Sequence, residues 1–274
     1  MKTNKICAIL LGLSLTLSAC SYSKSNGETE FTIGGFNMGS NEGKGALTDK
    51  TYTFDFDEIK SSNALDVEVV KSSAEKIVVN APSDIIDQIE VVQEGSAAVI
   101  RIARGVRNVS TNRVKVKVYA KDFNKLSASS SSTITVADDF KSNGFLLNAS
   151  SSSTIKGTFD APSINIQANS SADVVANIMS KDVIAQVSSS GTISLKGRSE
   201  SINAQASSSG DVEAAEFTAD SAMLQASSSG GIKIGVRNSV SGSASSSADI
   251  VVLKRGNLES KNVKESSSGS VTIK

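Results

Sequence analysis

Three consecutive serines recur along the second half of this chain at nearly constant spacing, and no other feature restricts its fold so strongly. Triplets begin at Ser129, Ser150, Ser188, Ser207, Ser227, Ser245 and Ser266, and Asn169-Ser170-Ser171 stands where an eighth would fall. Successive starts lie 21, 19, 19, 19, 20, 18 and 21 residues apart, a mean period of about 20. A period of that size belongs to a solenoid in which each repeat is one coil stacked on the last.

The columns of this repeat support β structure. With the first residue of each triplet as position zero, position −1 is Ala128, Ala149, Ala168, Val187, Ala206, Ala226 and Ala244. Position +5 is β-branched in every coil: Ile134, Ile155, Val174, Ile193, Val212, Ile232, Ile250 and Val271. Position −3 includes Leu126, Leu147, Ile166, Leu224 and Val263. Strand geometry then sends odd positions inward and even positions to solvent. On that alternation the middle serine and the small residue at +3 (Ala172, Gly191, Gly210, Gly230) face inward, as at a corner too tight for large side chains.

The outward columns point to parallel, in-register stacking. Position −2 holds Gln167, Gln186, Gln205 and Gln225, which form an amide ladder if coils stack about 4.8 Å apart. Position +4 carries Asp173, Asp211 and Asp249 on every second coil. Like charges directly opposite destabilise paired strands, and alternation doubles their separation to about 9.6 Å. In the last coil Lys261 and Glu265 replace buried columns, as an exposed terminal repeat requires.

Ahead of the repeats, short alternating runs read as strands: Leu65, Val67 and Val69; Ile77 and Val79; Ala98, Ile100 and Ile102; Val114, Val116 and Val118. Turn residues separate them at Ser61-Ser62-Asn63, Ala81-Pro82-Ser83-Asp84, Glu94-Gly95-Ser96 and Gly105. The segment Ile85 to Val92 reads as a further strand in preference to a short helix. From Ser21 to about Asp49 the composition is Ser, Asn, Gly, Lys, Glu and Thr with few large apolar residues, which suits a flexible tether.

The N-terminus reads as a targeting segment. Lys2 and Lys5 precede an apolar run from Ile6 to Leu17, followed by Leu17-Ser18-Ala19-Cys20. About a dozen apolar residues are too few to span a bilayer, which takes roughly 20. Small residues before a cysteine resemble a bacterial lipobox, with cleavage before Cys20 and lipidation of its thiol. Ser21 follows without the Asp that retains lipoproteins at the inner membrane, so an outer-membrane lipid anchor is expected, facing either periplasm or exterior. The chain thus divides into a signal peptide at 1–19, a tether at 20–50, first irregular coils at 51–126 and serine-rich β-helix repeats at 127–274.

Several chemistries are poorly served. Cys7 leaves with the signal and Cys20 carries lipid, so the folded part has no disulfide and no thiol nucleophile. Histidine is absent, removing the commonest general base and metal ligand. Without Lys2 and Lys5 the chain carries 26 basic and 28 acidic residues; with no Trp and three Tyr, a nucleic-acid partner is not expected.

The chain resembles the head GIN domain family of autotransporter-type adhesins, exported proteins of Bacteroidota, over roughly Tyr52 to Lys274. The likeness rests on Phe56-Asp57-Glu58-Ile59, Leu65-Asp66-Val67-Glu68-Val69, Val114-Lys115-Val116-Lys117-Val118-Tyr119, Phe123-Asn124-Lys125-Leu126-Ser127 and repeats such as Ala206-Ser207-Ser208-Ser209-Gly210-Asp211-Val212. It implies an all-β, right-handed parallel β-helix and an adhesin role, and supplies no catalytic or ligand residues.

Candidate sites are few. Single carboxylates at Asp173, Asp211 and Asp249, two coils apart, do not converge on a calcium ion, which takes six to eight oxygens. Asp138-Asp139 and Lys254-Arg255 match the residue types of polysaccharide-cleaving β-helices, but neighbours on a strand point to opposite faces. Asp220-Ser221-Ala222 fits a short O-glycosylation pattern at Ser221. No catalytic residue, cofactor or metal is expected. The favoured reading is a non-catalytic envelope lipoprotein, an adhesin or scaffold that binds a glycan or an envelope or host surface protein. The alternative is a polysaccharide lyase or hydrolase on the same scaffold.

Overall fold

Every coil reverses through its serine triplet, and the backbone there is left-handed. The second and third residues of all eight triplets have φ between 48° and 63°. Two consecutive positive-φ residues are the signature of a type I′ turn. Gly210 N–H accordingly donates to the Ser207 carbonyl at 2.9 Å, closing the turn, and six other coils repeat this bond. The third serine's N–H then reaches along the stack to the middle serine's carbonyl in the next coil. Ser131 bonds Ser151 in this way, Ser152 bonds Ser170, Ser209 bonds Ser228 and Ser247 bonds Ser267, all at 2.9–3.1 Å.

This geometry corrects one expectation. The middle serine is exposed in every coil, not inward, and the third serine is exposed beside it. Odd–even alternation presumes an extended backbone, and two left-handed residues interrupt it. The alternation resumes at +3, buried from Ser132 through Ala248, and continues at +5, where Ile134, Ile155, Val174 and Ile193 are fully buried. Small residues at +3 are explained by close approach: a Cβ on Gly230 would lie 2.7 Å from the Ala206 carbonyl. Earlier coils use serine there instead. Ser153 Oγ accepts the Ser150 N–H at 3.0 Å and donates to the Ala128 carbonyl at 2.8 Å, bridging two coils.

The structure, a computed structural model, describes residues 21–25, 28–33, 36–37 and 42–274. The signal peptide at 1–19 and Cys20 lie outside the described residues. From Leu47 onward one sheet winds into a parallel β-solenoid of about eight turns, about 19 residues each. The long strands Thr154–Asn169, Asp173–Val187, Thr192–Ala206 and Asp211–Ala226 each cover two faces. Pairing skips Pro162, Lys181, Glu200 and Asp220, which mark the second corner. We call the face that follows the serine corner the A face and the one that precedes it the B face. Between them lies an apolar core in which Phe123, Phe140, Phe145 and Phe159 pack with ring centroids 4.7–5.6 Å apart.

The uneven triplet spacing has a local cause. Ser194 pairs with Glu213 but Lys196 pairs with Glu216, so the strand Asp211–Ala226 carries a bulge that adds one residue to its coil. The next coil is two residues shorter, its pairing offset falling from 20 at Ala214/Ile234 to 17 at Thr218/Gly235 and settling at 18 from Ser221/Ser239, which accounts for spacings of 20 and then 18.

A further coil precedes the serine repeats. Asn63 and Ala64 are left-handed, with φ of 64° and 54°, and Ala64 N–H donates to the Ser130 carbonyl at 2.8 Å. Ser62-Asn63-Ala64 is therefore a serine corner in other letters. Glu58–Ser61 pairs in parallel with Lys125–Ala128, and Asp66–Lys71 with Thr133–Val136. The intervening residues 72–124 extend both faces beyond this coil. Ala97–Ile102 and Lys115–Ala120 each add a parallel strand. Antiparallel strands Ile89–Glu94 and Lys76–Pro82 follow. The segment expected as a strand from Ile85 begins instead with a 3₁₀ turn at Ile86–Gln88.

The tether boundary also moves. Leu47–Tyr52 is one strand, antiparallel to Lys76–Pro82, so the division at residue 50 falls inside the solenoid sheet. Asp84 Oδ2 and Oδ1 accept the Lys44 and Gly45 N–H groups at 2.8 and 2.9 Å, which holds the Asp84 carboxyl below the ordinary carboxylate range. Earlier in the chain, Ser21–Ser25, Glu28–Ile33 and Phe36–Asn37 pair in a separate antiparallel sheet, where composition suggested no regular structure.

The left-handed corner generates a prediction. Ser209→Val puts a β-branched residue at φ 60° and should cost about 1–3 kcal/mol, read from the urea unfolding midpoint. Ser209→Gly should change stability by less than about 1 kcal/mol, because relief of strain opposes greater freedom in the unfolded chain. Equal losses for both would contradict the corner geometry.

Candidate binding surfaces

Stacking turns each outward position into a row, and the two faces carry different chemistry. On the B face the outward positions −6, −4 and −2 run from Gly144-Leu146-Asn148 to Ser239-Ser241-Ser243. Among these eighteen positions Asp182 is the only charged residue, in a chain that is 20% charged. The others are mainly Ser, Asn and Gln, with Leu146, Ile184 and Met223 interspersed. Asp182 lies at the second corner, where its carboxylate accepts the Ser201 hydroxyl at 2.6 Å.

The amide ladder forms. Gln167 Nε2 donates to Gln186 Oε1 at 3.5 Å, and Gln186 Nε2 donates to Gln205 Oε1 at 3.4 Å. Gln225 continues the row in register. These are long bonds. Between this ladder and the serine corner runs an open groove of about 240 Å³, lined by Gln167, Gln186, Gln205, Ser188 and Ser207. Beyond the corner the exposed second and third serines form a double row of hydroxyls, so the uncharged surface continues around the edge.

Charge returns toward the N-terminal end of the B face. Glu58 pairs with Lys125 at 2.9 Å and Lys60 at 3.3 Å. Burial pushes the Glu58 carboxyl up, but hydrogen bonds from Lys125 and Lys60 outweigh it and hold the group below its ordinary value.

The A face carries at least one exposed charge in each coil from Lys156 to Asp249. Its aspartate column stacks as Asp173, Thr192, Asp211, Gly231 and Asp249, in the alternation expected. Nearer the N-terminus, Lys115–Asp66 at 3.2 Å and Lys117–Glu68 at 3.1 Å flank an open groove of about 580 Å³. Tyr119 lies in it, with the Lys76 ammonium 4.6 Å from the ring centroid.

The carboxylate and basic pairs singled out by residue type have structural partners. Asp138 Oδ2 accepts the Lys71 N–H at 2.7 Å. Arg255 donates to the Ala215 carbonyl at 2.7 Å and so reaches across one coil to hold the bulge two coils back. Ser221 lies beside the second corner, half-buried, with its hydroxyl donating to the Glu200 carbonyl at 3.2 Å. An open cleft of about 410 Å³ next to it mixes both signs of charge: Asp160, Lys181, Arg198, Glu200, Asp220 and Arg237. Asp220 pairs with Arg237 at 2.9 Å. Among the described residues no group of three or more His, Cys, Asp or Glu could hold a metal ion.

The charge-poor face was missed from sequence, although its signal was there. It emerges when the residues of the −4 and −6 columns are set beside those of −2 in the same alignment.

The chain is similar to the family described as "Putative auto-transporter adhesin, head GIN domain". Its model matches residues 55–256, and the chain belongs to this family. Solved structures agree on the fold. A "putative adhesin" from Parabacteroides merdae superposes with TM-score 0.76 at 17% identity, covering 86% of this chain and 99% of that one. A "putative lipid binding protein" from Parabacteroides distasonis gives 0.78 at 19%, with the same coverage. A "putative adhesin" from Bacteroides fragilis gives 0.64 at 12%, covering 86% and 100%. Comparison with curated proteins found no match.

Proposed function

We propose that this chain is a non-catalytic, adhesin-type lipoprotein of the outer membrane, anchored through lipidated Cys20 and binding other surfaces through the side of its solenoid. The observation that carries this reading is the repetition of the outward rows. A stack that offers the same side chain every coil provides many weak, equivalent contacts along its length, which suits attachment to an extended surface. Chemistry at one point needs unlike groups converging on one atom. Family membership supports the same role.

Fractionation and protease shaving of intact cells test the anchor and its orientation. The wild-type chain should take up labelled palmitate, sediment with outer membranes and mediate protein-dependent adhesion, while Cys20→Ala should lose label and sediment no longer. Labelled Cys20→Ala, or turnover of a polysaccharide abolished by changing one carboxylate, would overturn the reading.

Modification of Ser221 by an O-linked glycan belongs to the same proposal. It requires the hydroxyl to give up its bond to the Glu200 carbonyl. Ser221→Ala should then run faster on a denaturing gel; identical mobility would remove the site.

A further inference from the structure

We propose that the charge-poor B face of the middle coils, with the groove between its glutamine ladder and the serine corner, binds an uncharged, polyhydroxylated glycan. This rests on the adhesin-type reading and names its ligand class. The first argument is charge. One acidic residue in eighteen outward positions, and none among the groove-lining residues, leaves nothing to attract an ionic polymer. On the A face of the same coils Lys156, Asp173, Lys196, Asp211, Glu213 and Lys233 are exposed, so the depletion belongs to this surface and not to the chain as a whole.

The second argument is hydrogen-bonding capacity. A glutamine amide has two N–H donors and an acceptor with two lone pairs. In the ladder each bond joins one donor of one residue to one acceptor of the next, at 3.4–3.5 Å, which leaves each amide a second donor and a second lone pair. Sugar hydroxyls both donate and accept, and a surface of amides and hydroxyls answers them in either sense.

The third argument separates a glycan from a protein partner. Protein interfaces concentrate aromatic residues and arginine at their centres. This face has neither, and its large apolar residues are confined to Leu146, Ile184 and Met223. Those three sit among the amides in the −4 column and can meet the C–H faces of sugar rings.

The experiment uses the full-length chain, solubilised in detergent, on native gels containing dextran, yeast mannan or galactomannan, with heparin and polygalacturonate as ionic probes. Retardation is expected with at least one neutral polymer and with neither ionic one. Gln186→Lys and the smaller change Gln205→Ala should each weaken it about tenfold or more. Lys233→Gln, on the A face, should leave it intact, and thermal melts should show all variants folded. Retardation by ionic polymers alone, by none, or unchanged in both glutamine variants overturns the proposal. So does a self-associated form, seen by light scattering, that Gln186→Lys disperses, because the face would then dock a second copy. If cells adhere through the chain while no polysaccharide retards it, the glycan fails and the adhesin reading stands; absence of adhesion fails the adhesin reading itself.

Discussion

A chain that returns on itself about every 19 residues has to reverse at a fixed point in each coil without leaving backbone groups unpaired in the stack. Here the reversal places two consecutive residues in the left-handed region, a conformation that costs non-glycine residues about 1–3 kcal/mol each. The backbone bonds of the corner offset that strain. The third serine donates forward to the next coil, as Ser190 does to Ser208, while flanking N–H groups donate backward, as Ser207 does to Val187 and Asp211 to Gly191. Each corner is thus stabilised by its neighbours. The strain is tolerated because the stack over-determines it, and a single coil removed from the stack would lose those partners. Serine suits the place: small, unbranched at Cβ and polar toward solvent, with less freedom to lose on folding than glycine.

The same stacking decides what the surface can be. In-register coils multiply any outward residue into a row about 4.8 Å apart, so a charge repeated in every coil would repel itself. The A face meets this by alternating Asp173, Asp211 and Asp249 with neutral residues and by pairing charges across strands, as Lys117 does with Glu68. The B face meets it by having almost no charge, and amides that would repel as ions instead bond in a ladder. Two solutions to one electrostatic constraint give the solenoid two chemically distinct sides, and the neutral one is left with hydrogen-bonding capacity to spare.

Much of this was legible in the residues. The triplet period predicted coils, the β-branched column at +5 predicted the core, and the glutamine and aspartate columns predicted parallel register. What escaped was of two kinds. Backbone hand is invisible to a two-residue alternation rule, so the middle serine was placed inside when the left-handed pair turns it out. Sequence disguise hid the first coil: Ser62-Asn63-Ala64-Leu65-Asp66-Val67 keeps the serine at zero, the aspartate at +4 and the valine at +5. It replaces the left-handed serines with asparagine and alanine. The insertion at 72–124 could not be ordered from pattern alone, because its strands join the stack in both directions and far from their sequence neighbours.

The account depends on the corner being part of the hydrogen-bonded stack and not a surface loop. Native-state amide exchange measures this at single residues. The N–H groups of Ser152, Ser171, Ser190, Ser209 and Ser229 should be protected to the same degree as those of the flanking strands, although their side chains are exposed, because each donates to the coil beyond it. Exchange of these amides as fast as that of the exposed turn at Gly105 would contradict the account.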